Sequence, residues 1–374
     1  MSSSFIPVNT PLFSGKELEY LTDCIKTGWV SSEGSYVEKF ESAVAEQVNR
    51  QYGVAVSNGT AAIDIAIAAL NISEGDEVIL PTHTIISCVM QIVRVGATPV
   101  FIDSCPKTWN MDVSKIEEKI TSKTKAIMAI HLYGLPVEMD KIMKLANYYN
   151  LFVIEDAAEM LGQNYKGTPC GSFGHISTMS FYPNKQITSG EGGMCLTNDL
   201  KLAKRCRSLR NLCFKKSKRF VHEELGWNYR ITNLQAAVGL AQIEKLDSHI
   251  QRKREIGNKY LSLLNKLDGV QLPLKTTTYA FNIYWVFGLV IKNYIPFDAE
   301  YAMKELASQG IGVRPFFYCL HKQPVFKKMG LFQGESYPVA EMLSEKGFYI
   351  PSGLGITDGE IETVSKKVIK LFET

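Results

Sequence analysis

The sequence predicts an α/β fold, with a large domain built on a mostly parallel seven-stranded sheet and a smaller C-terminal α+β domain. Three observations carry this. From about Tyr52, short β-rich apolar runs alternate with stretches long enough for helices, the pattern of parallel β-α-β units. Near residue 245 that alternation gives way to a different order of elements. A chain of 374 residues is also long for one core and short for three.

Taken in order, strands are expected at residues 53–56, 77–80, 99–102, 126–131, 151–155, 176–181 and 193–197. Stretches such as 61–70, 85–95 and 139–149 supply helices between the first five, and right-handed crossovers follow. Only residues 182–192, two of them Gly, separate the last two strands. That is too short for a usual helical crossover, so one of the two is expected to run antiparallel. A long helix is then predicted to open at Thr232 and Asn233, good N-cap residues, with Leu234, Ala237, Val238, Ala241 and Leu246 on one side. Residues 1–244 form the expected large domain, including the N-terminal segment, and 245–374 the small one. The latter holds an apolar run at 284–291, a helical stretch at 299–308 and a terminal helix from Asp358.

Composition narrows the class. Hydrophobic residues at 45% and charged residues at 21% match a globular protein and exclude a disordered, collagen-like or coiled-coil chain. A net charge of +3 says little about partners. The densest basic run, residues 215–219, is flanked by aromatics but reads as a solvated loop, and no nucleic acid is expected as a partner. The eight cysteines lie far apart with no C-x-x-C pair, which suggests reduced thiols and no metal site. The start MSSSFIPVNTPLF lacks a charged region followed by a long apolar stretch, and nowhere do eighteen apolar residues run uninterrupted. A cytoplasmic protein without a membrane partner is expected.

Three segments could carry chemistry. Ser57-Asn58-Gly59-Thr60 follows a strand and opens an almost wholly apolar helix. Its N-terminus is either an ordinary capped turn or a phosphate site made of free backbone N–H groups. The strand 151–155 ends in two carboxylates, Glu155 and Asp156, where an open α/β sheet places its ligand. A carboxylate buried there needs a cationic partner: a protonated pyridine nitrogen, or a structural salt bridge. Lys185 lies between an aromatic strand end, Ser180-Phe181-Tyr182, and the glycine stretch 189–193. A lysine forms a Schiff base with a carbonyl cofactor once its amine is neutral, although most loop lysines are merely solvated.

In this order and spacing, the blocks VSNGTAA, GDEVILPT, GATPVFID, HLYG, VIEDAAE, SFYPNKQITSGEGG and NYRITNLQAA resemble the DegT and StrS type of nucleotide-sugar aminotransferases, a branch of fold-type I pyridoxal-phosphate (PLP) enzymes. The resemblance spans most of the chain. It implies PLP as cofactor, with pyridoxamine phosphate as its alternate form, and L-glutamate and a nucleotide-linked keto-sugar as substrates. Lys185 would hold the cofactor covalently and later shuttle a proton, and Asp156 would pair with the pyridine nitrogen. Gly59, Thr60 and Ser180 would hold the phosphate, joined by Asn228 of a neighbouring subunit in a homodimer with shared active sites. Glu159 falls beside the cofactor's ring hydroxyl. Glu at this position, with stretches such as WVSSEGSYVEKFE and GMCLTND, resembles the subgroup that aminates a GDP-linked 4-keto-6-deoxymannose to perosamine. Trp29, His83, Arg230, Arg314 and His321 are the corresponding candidates for substrate contact, and His131 and Tyr133 either line the pocket or belong to the core.

Some positions depart from the family pattern. Ile85 stands where many relatives put an aromatic ring against the cofactor, and His83 is the nearby candidate to compensate. His175 replaces an Asp, and Cys319 stands where relatives often have Pro. Sugar and nucleotide identity therefore stay open among GDP, UDP and dTDP. A same-fold dehydratase would carry His in place of Lys185, and a non-catalytic ligand-binding regulator would be expected to lack Lys185 or Asp156.

Overall fold

The computed structural model describes residues 5–215 and 217–373 of the chain. Two helices, α1 (Glu17–Thr27) and α2 (Ser35–Gln47), lead into β1 (Tyr52–Val56). The expected alternation follows: α3 (Gly59–Ala69), β2 (Glu77–Pro81), α4 (Ser87–Arg94), β3 (Thr98–Ile102), β4 (Thr124–Ile130), α5 (Met139–Tyr149) and β5 (Phe152–Asp156). A small hairpin, β6 (Asn164–Tyr165) and β7 (Thr168–Pro169), precedes β8 (Ile176–Ser180) and β9 (Gly193–Thr197), and α6 (Leu200–Arg210) follows.

The seven longer strands form one sheet in the order β1-β9-β8-β5-β4-β2-β3. Strand β2 runs parallel to β3 and β4, β4 to β5, and β5 to β8. Strand β9 is antiparallel to both its neighbours, β8 and β1. The reversed strand predicted from the short glycine connection is therefore β9. Helices cover both faces, so the central strands are buried on both sides and read as continuous apolar runs. Helix α3 is buried on nearly every side, because it packs against β8, β9, α4 and α6. Its start is set by Asn58, whose side chain accepts the Ala61 N–H at 2.8 Å.

The predicted helix at Thr232 opens as expected, through a capping box between Thr232 and Gln235. It does not continue to Leu246. Helix α7 (Asn233–Ile243) ends and α8 (Leu246–Leu264) begins. At Lys245 the backbone leaves helical geometry (φ −109°, ψ 6°), and its N–H bonds the Gln242 carbonyl at 3.0 Å. This tight turn redirects the chain while Leu246 stays buried.

Beyond it lies a second sheet, with β10 (Val270–Gln271), β11 (Phe287–Ile291), β12 (Arg314–Pro315) and β13 (Gly347–Ile350). The order is β10-β11-β13-β12, all antiparallel. Helices α9 (Ala299–Ser308), α10 (Pro324–Lys328), α11 (Pro338–Lys346) and α12 (Asp358–Phe372) complete it. Tyr260, Phe287, Phe348 and Ile361 lie in its own apolar core. The N-terminal segment, grouped by sequence with the large domain, docks on this second unit: Ile6 bridges Ile311 in parallel, and Ser352 donates to the Val8 carbonyl at 3.1 Å.

All eight cysteines are unpaired. Among the described residues no helix is long and apolar enough to cross a membrane. In the basic run, Lys216 lies outside the described residues, while Lys215 pairs with Glu223 and Arg219 sits over the Phe214 ring.

Candidate active site

The last residues of β5 and β8, Asp156 and Ser180, open onto a cavity of about 760 Å³ that also takes in the first turn of α3. This is the carboxyl end of the parallel strands, where doubly wound sheets hold ligands. Gly59, Thr60, Asp156, Glu159, Ser180 and Lys185 all line it.

The α3 end of the cavity suits an anion. First-turn N–H groups have no intrahelical acceptor and carry the positive end of the helix dipole. Gly59 allows the helix to approach β8 closely: a Cβ there would come within 2.9 Å of the Ser180 Cβ. The Thr60 hydroxyl meets that of Ser87 at 2.8 Å.

Asp156 is held at one oxygen and open at the other. Its Oδ1 accepts the Ala158 N–H at 3.1 Å and the Thr178 hydroxyl at 3.3 Å. Its Oδ2 accepts only the weak Cys88 thiol, at 3.3 Å.

Lys185 is largely enclosed, with its side chain 12% exposed and its Nζ 3.9 Å from Glu159 Oε1. The tryptophan Trp285 faces the same amine, with its ring centroid 4.0 Å away. Burial pushes the Lys185 amine below the usual lysine range, while Glu159, Asp156 and Cys88 act to raise it. Burial likewise pushes Glu159 up, against the pull of Lys185. Both groups are thus driven toward their neutral forms, the state in which a lysine is nucleophilic. Glu159 is oriented by the Tyr133 N–H, at 2.7 Å from Oε2.

An anion cradle, an acceptor that could pair with a protonated ring nitrogen, and an amine of lowered basicity share one cavity. These are the three needs of a phosphorylated pyridine aldehyde, and the donor set fits pyridoxal phosphate. The DegT/DnrJ/EryC1/StrS aminotransferase family profile matches residues 12–369. The chain belongs to that family. It is 44% identical over 368 residues to a GDP-perosamine synthase of Escherichia coli O157:H7, covering 98% of this chain and 99% of that one. It is 36% identical over 377 residues to EpsN of Bacillus subtilis, described as a putative pyridoxal phosphate-dependent aminotransferase, covering 99% and 96%. Among solved structures it resembles DesV of S. venezuelae, solved in complex with a ketimine intermediate, with TM-score 0.90, 28% identity and 100% coverage of both chains. The protein is a PLP-dependent aminotransferase of the DegT/StrS type.

The structure does not gather every residue that the family resemblance nominated. His83 is fully buried, with Nε2 3.1 Å from the Tyr133 hydroxyl, and it packs among Tyr133, Phe316 and Phe317. It is not on the cavity wall, so it offers no ring in place of the missing aromatic at Ile85, which does line the cavity. His321 is also buried and bonded on both nitrogens, to Thr82 at 2.7 Å and Glu341 at 3.1 Å. Arg314 is exposed on β12, in register with Tyr349, whose side chain reaches the cavity. Trp29 is 56% exposed. Asn228 and Arg230 lie apart from this chain's cavity, with Arg230 Nε donating to Asn228 Oδ1 at 2.8 Å. Arg230 borders a separate depression with Arg207 and Arg210.

His131 is a core residue at the cavity floor: its Nε2 meets Glu155 at 3.0 Å and its Nδ1 accepts the Val137 N–H at 3.1 Å. With Glu155 and Cys170 it forms a cluster whose donor atoms lie within 4.8 Å of one another. Hydrogen bonds already occupy the His131 and Glu155 atoms, and burial holds the Cys170 thiol in its protonated form, which does not suit a metal. His175 accepts the Val153 N–H at 3.1 Å and is a structural replacement in its turn. Cys319 is buried, away from the cavity wall.

Trp285, Cys88 and Thr178 were not singled out by sequence. Each contacts Lys185 or Asp156 from a remote segment, and only Trp285 carried a signal, a tryptophan within an otherwise aliphatic and aromatic strand approach.

Proposed function

We propose that this aminotransferase moves the amino group of L-glutamate to the 4-keto group of GDP-4-keto-6-deoxy-D-mannose, giving GDP-perosamine, and works as a cytoplasmic homodimer. The observation that carries the substrate choice is the 44% identity to the Escherichia coli GDP-perosamine synthase over nearly the whole of both chains. Glu159 beside Lys185 supports the same subgroup.

When bound, PLP supplies a carbonyl carbon that amines attach to and a pyridine ring that accepts electrons. The chain's residues do the rest. The Gly59 and Thr60 N–H groups and the Ser180 hydroxyl would bind the phosphate, and Asn228 of a partner subunit would complete that site. Asp156 Oδ2 would hold a proton on the ring nitrogen. Lys185 Nζ, which burial makes less basic than an ordinary lysine, would bond the carbonyl and, once free, would take a proton from one carbon and return it to another. Glu159, which accepts the Tyr133 N–H, would face the ring hydroxyl. Trp29, Arg230 and Arg314, all solvent-accessible, are the candidates to meet the nucleotide sugar.

The test is a panel of GDP-, UDP- and dTDP-linked 4-keto-6-deoxy sugars with glutamate, read by mass spectrometry of the product. Amination of the GDP sugar alone is expected. Preference for a UDP or dTDP sugar would move the protein to another subgroup, and turnover of none would favour a non-catalytic ligand-binding role.

A further inference from the structure

We infer that Trp285 is a positioning residue for the free amine of Lys185, its indole face giving the ammonium form a seat beside Glu159. This rests on the reading of Lys185 as the lysine that bonds PLP. Such a lysine spends part of each cycle released. Between taking a proton from one carbon and returning it to another, it must hold that proton as an ammonium and stay within reach of both.

Trp285 is built to hold that amine. It precedes β11, so the second sheet delivers it to the cavity. Its Nε1 donates to the Asn184 carbonyl at 2.8 Å, one residue from Lys185. Its own carbonyl accepts from Lys253 Nζ at 2.7 Å, and the same ammonium bonds the Ser352 carbonyl at 2.6 Å. Its ring stacks on Tyr133 at 6.3 Å between centroids, inclined by 16°. The indole is therefore fixed before the amine arrives. A separation of 4.0 Å from Nζ to the ring centroid lies well inside the range of cation–π attraction, which strengthens when water is excluded.

The other groups acting on this amine are Glu159 after β5, Asp156 at the end of β5 and Cys88 on α4. The Tyr133 N–H acts on Glu159 in turn, and Glu159 helps to raise the hydroxyls of Tyr133 and Tyr349. Glu159 and Asp156 attract the ammonium, but a carboxylate can also take its proton. The indole face attracts the charge and has no site for the proton, so it favours the ammonium without competing for its proton.

The test uses full-length apoenzyme mixed with PLP and trapped with borohydride, with the pyridoxyl group on the Lys185 peptide measured by mass spectrometry against pH. Capture needs the neutral amine, so its rate reports the amine's titration midpoint. Replacing Trp285 site-specifically with mono-, di- and tetrafluorotryptophan keeps shape and N–H but drains the π face. The midpoint should fall stepwise, by about one pH unit at four fluorines, giving about tenfold faster capture below the midpoint. Trp285→Phe, which keeps a weaker face, should shift it less in the same direction. An unmoved midpoint across the series, with PLP still trapped on Lys185, overturns the inference. PLP trapped elsewhere, or nowhere, overturns instead the reading of Lys185 beneath it.

Discussion

Glu155 and Asp156 are consecutive residues of one strand whose carboxylates serve opposite faces of the sheet. Glu155 turns into the core, where it accepts the N–H groups of Gly171 at 2.6 Å and Phe173 at 2.7 Å and meets His131 at 3.0 Å. Asp156 turns to the cavity. The two-residue period of a strand thus divides two identical functional groups into one that shapes the loop before β8 and one free for a cofactor.

Their substitutions should separate accordingly. Glu155→Ala strands a buried N–H donor, a part-buried one and a buried histidine, so about 3 kcal/mol or more of stability should be lost, read as a lower urea midpoint. Asp156→Asn preserves the acceptor for Ala158 and Thr178, and its midpoint should stay within about 1 kcal/mol of wild type. Its turnover should nevertheless fall at least ~10²-fold, because an amide does not hold the pyridine nitrogen protonated.

The same contrast shows what was legible beforehand. Parallel strands buried on both faces announce themselves as apolar runs, and all seven strands of the large sheet lie where the sequence puts them, to within about two residues at either end. The break between α7 and α8 was hidden because Leu246 continues the apolar stripe of α7 although it belongs to the next helix. The adjacent carboxylates could be located but not told apart, since which one faces the cavity depends on strand register. Trp285 and Cys88 reach Lys185 and Asp156 from far along the chain, and no local pattern encodes such a meeting. His83 and His321 were nominated by resemblance, while burial decides that they support the walls.

Lys185→Ala removes the one lysine among the described residues lining the cavity, the amine able to bond a carbonyl and move a proton between carbons. Turnover should fall by more than about 10⁴-fold, and borohydride should no longer fix PLP to the 185 peptide. Activity near wild type in that variant would sink the assignment.

Lys253 should make stability depend on pH. Its ammonium is fully buried, and burial lowers it from 10.5 to about 7. Between those values the unfolded chain keeps a proton that the folded one has released, so wild-type stability should rise with pH across that window. The slope approaches 1.4 kcal/mol per unit, or about that much. The burden is full below about pH 7 and gone above the unfolded value. Lys253→Met carries no such titration, and the difference between the two urea midpoints should shift in favour of wild type from pH 7 to 10. A pH-independent difference would mean the amine titrates normally.

The final prediction concerns Asn228. Within one chain it is exposed and lies off the cavity wall, bonded to Arg230, whereas Gly59, Thr60 and Ser180 line the wall themselves. If Asn228 completes a partner's phosphate site, Lys185→Ala and Asn228→Asp should each be inactive or weak as homodimers, the second because its carboxylate opposes the cofactor phosphate. In a mixed dimer one site then carries both defects and the other carries none. Co-refolding the two variants should restore activity toward half of a wild-type dimer for each heterodimer, measured after separating differently tagged species. If purified heterodimer shows no recovery, Asn228 acts on its own subunit and the sites are not shared through it.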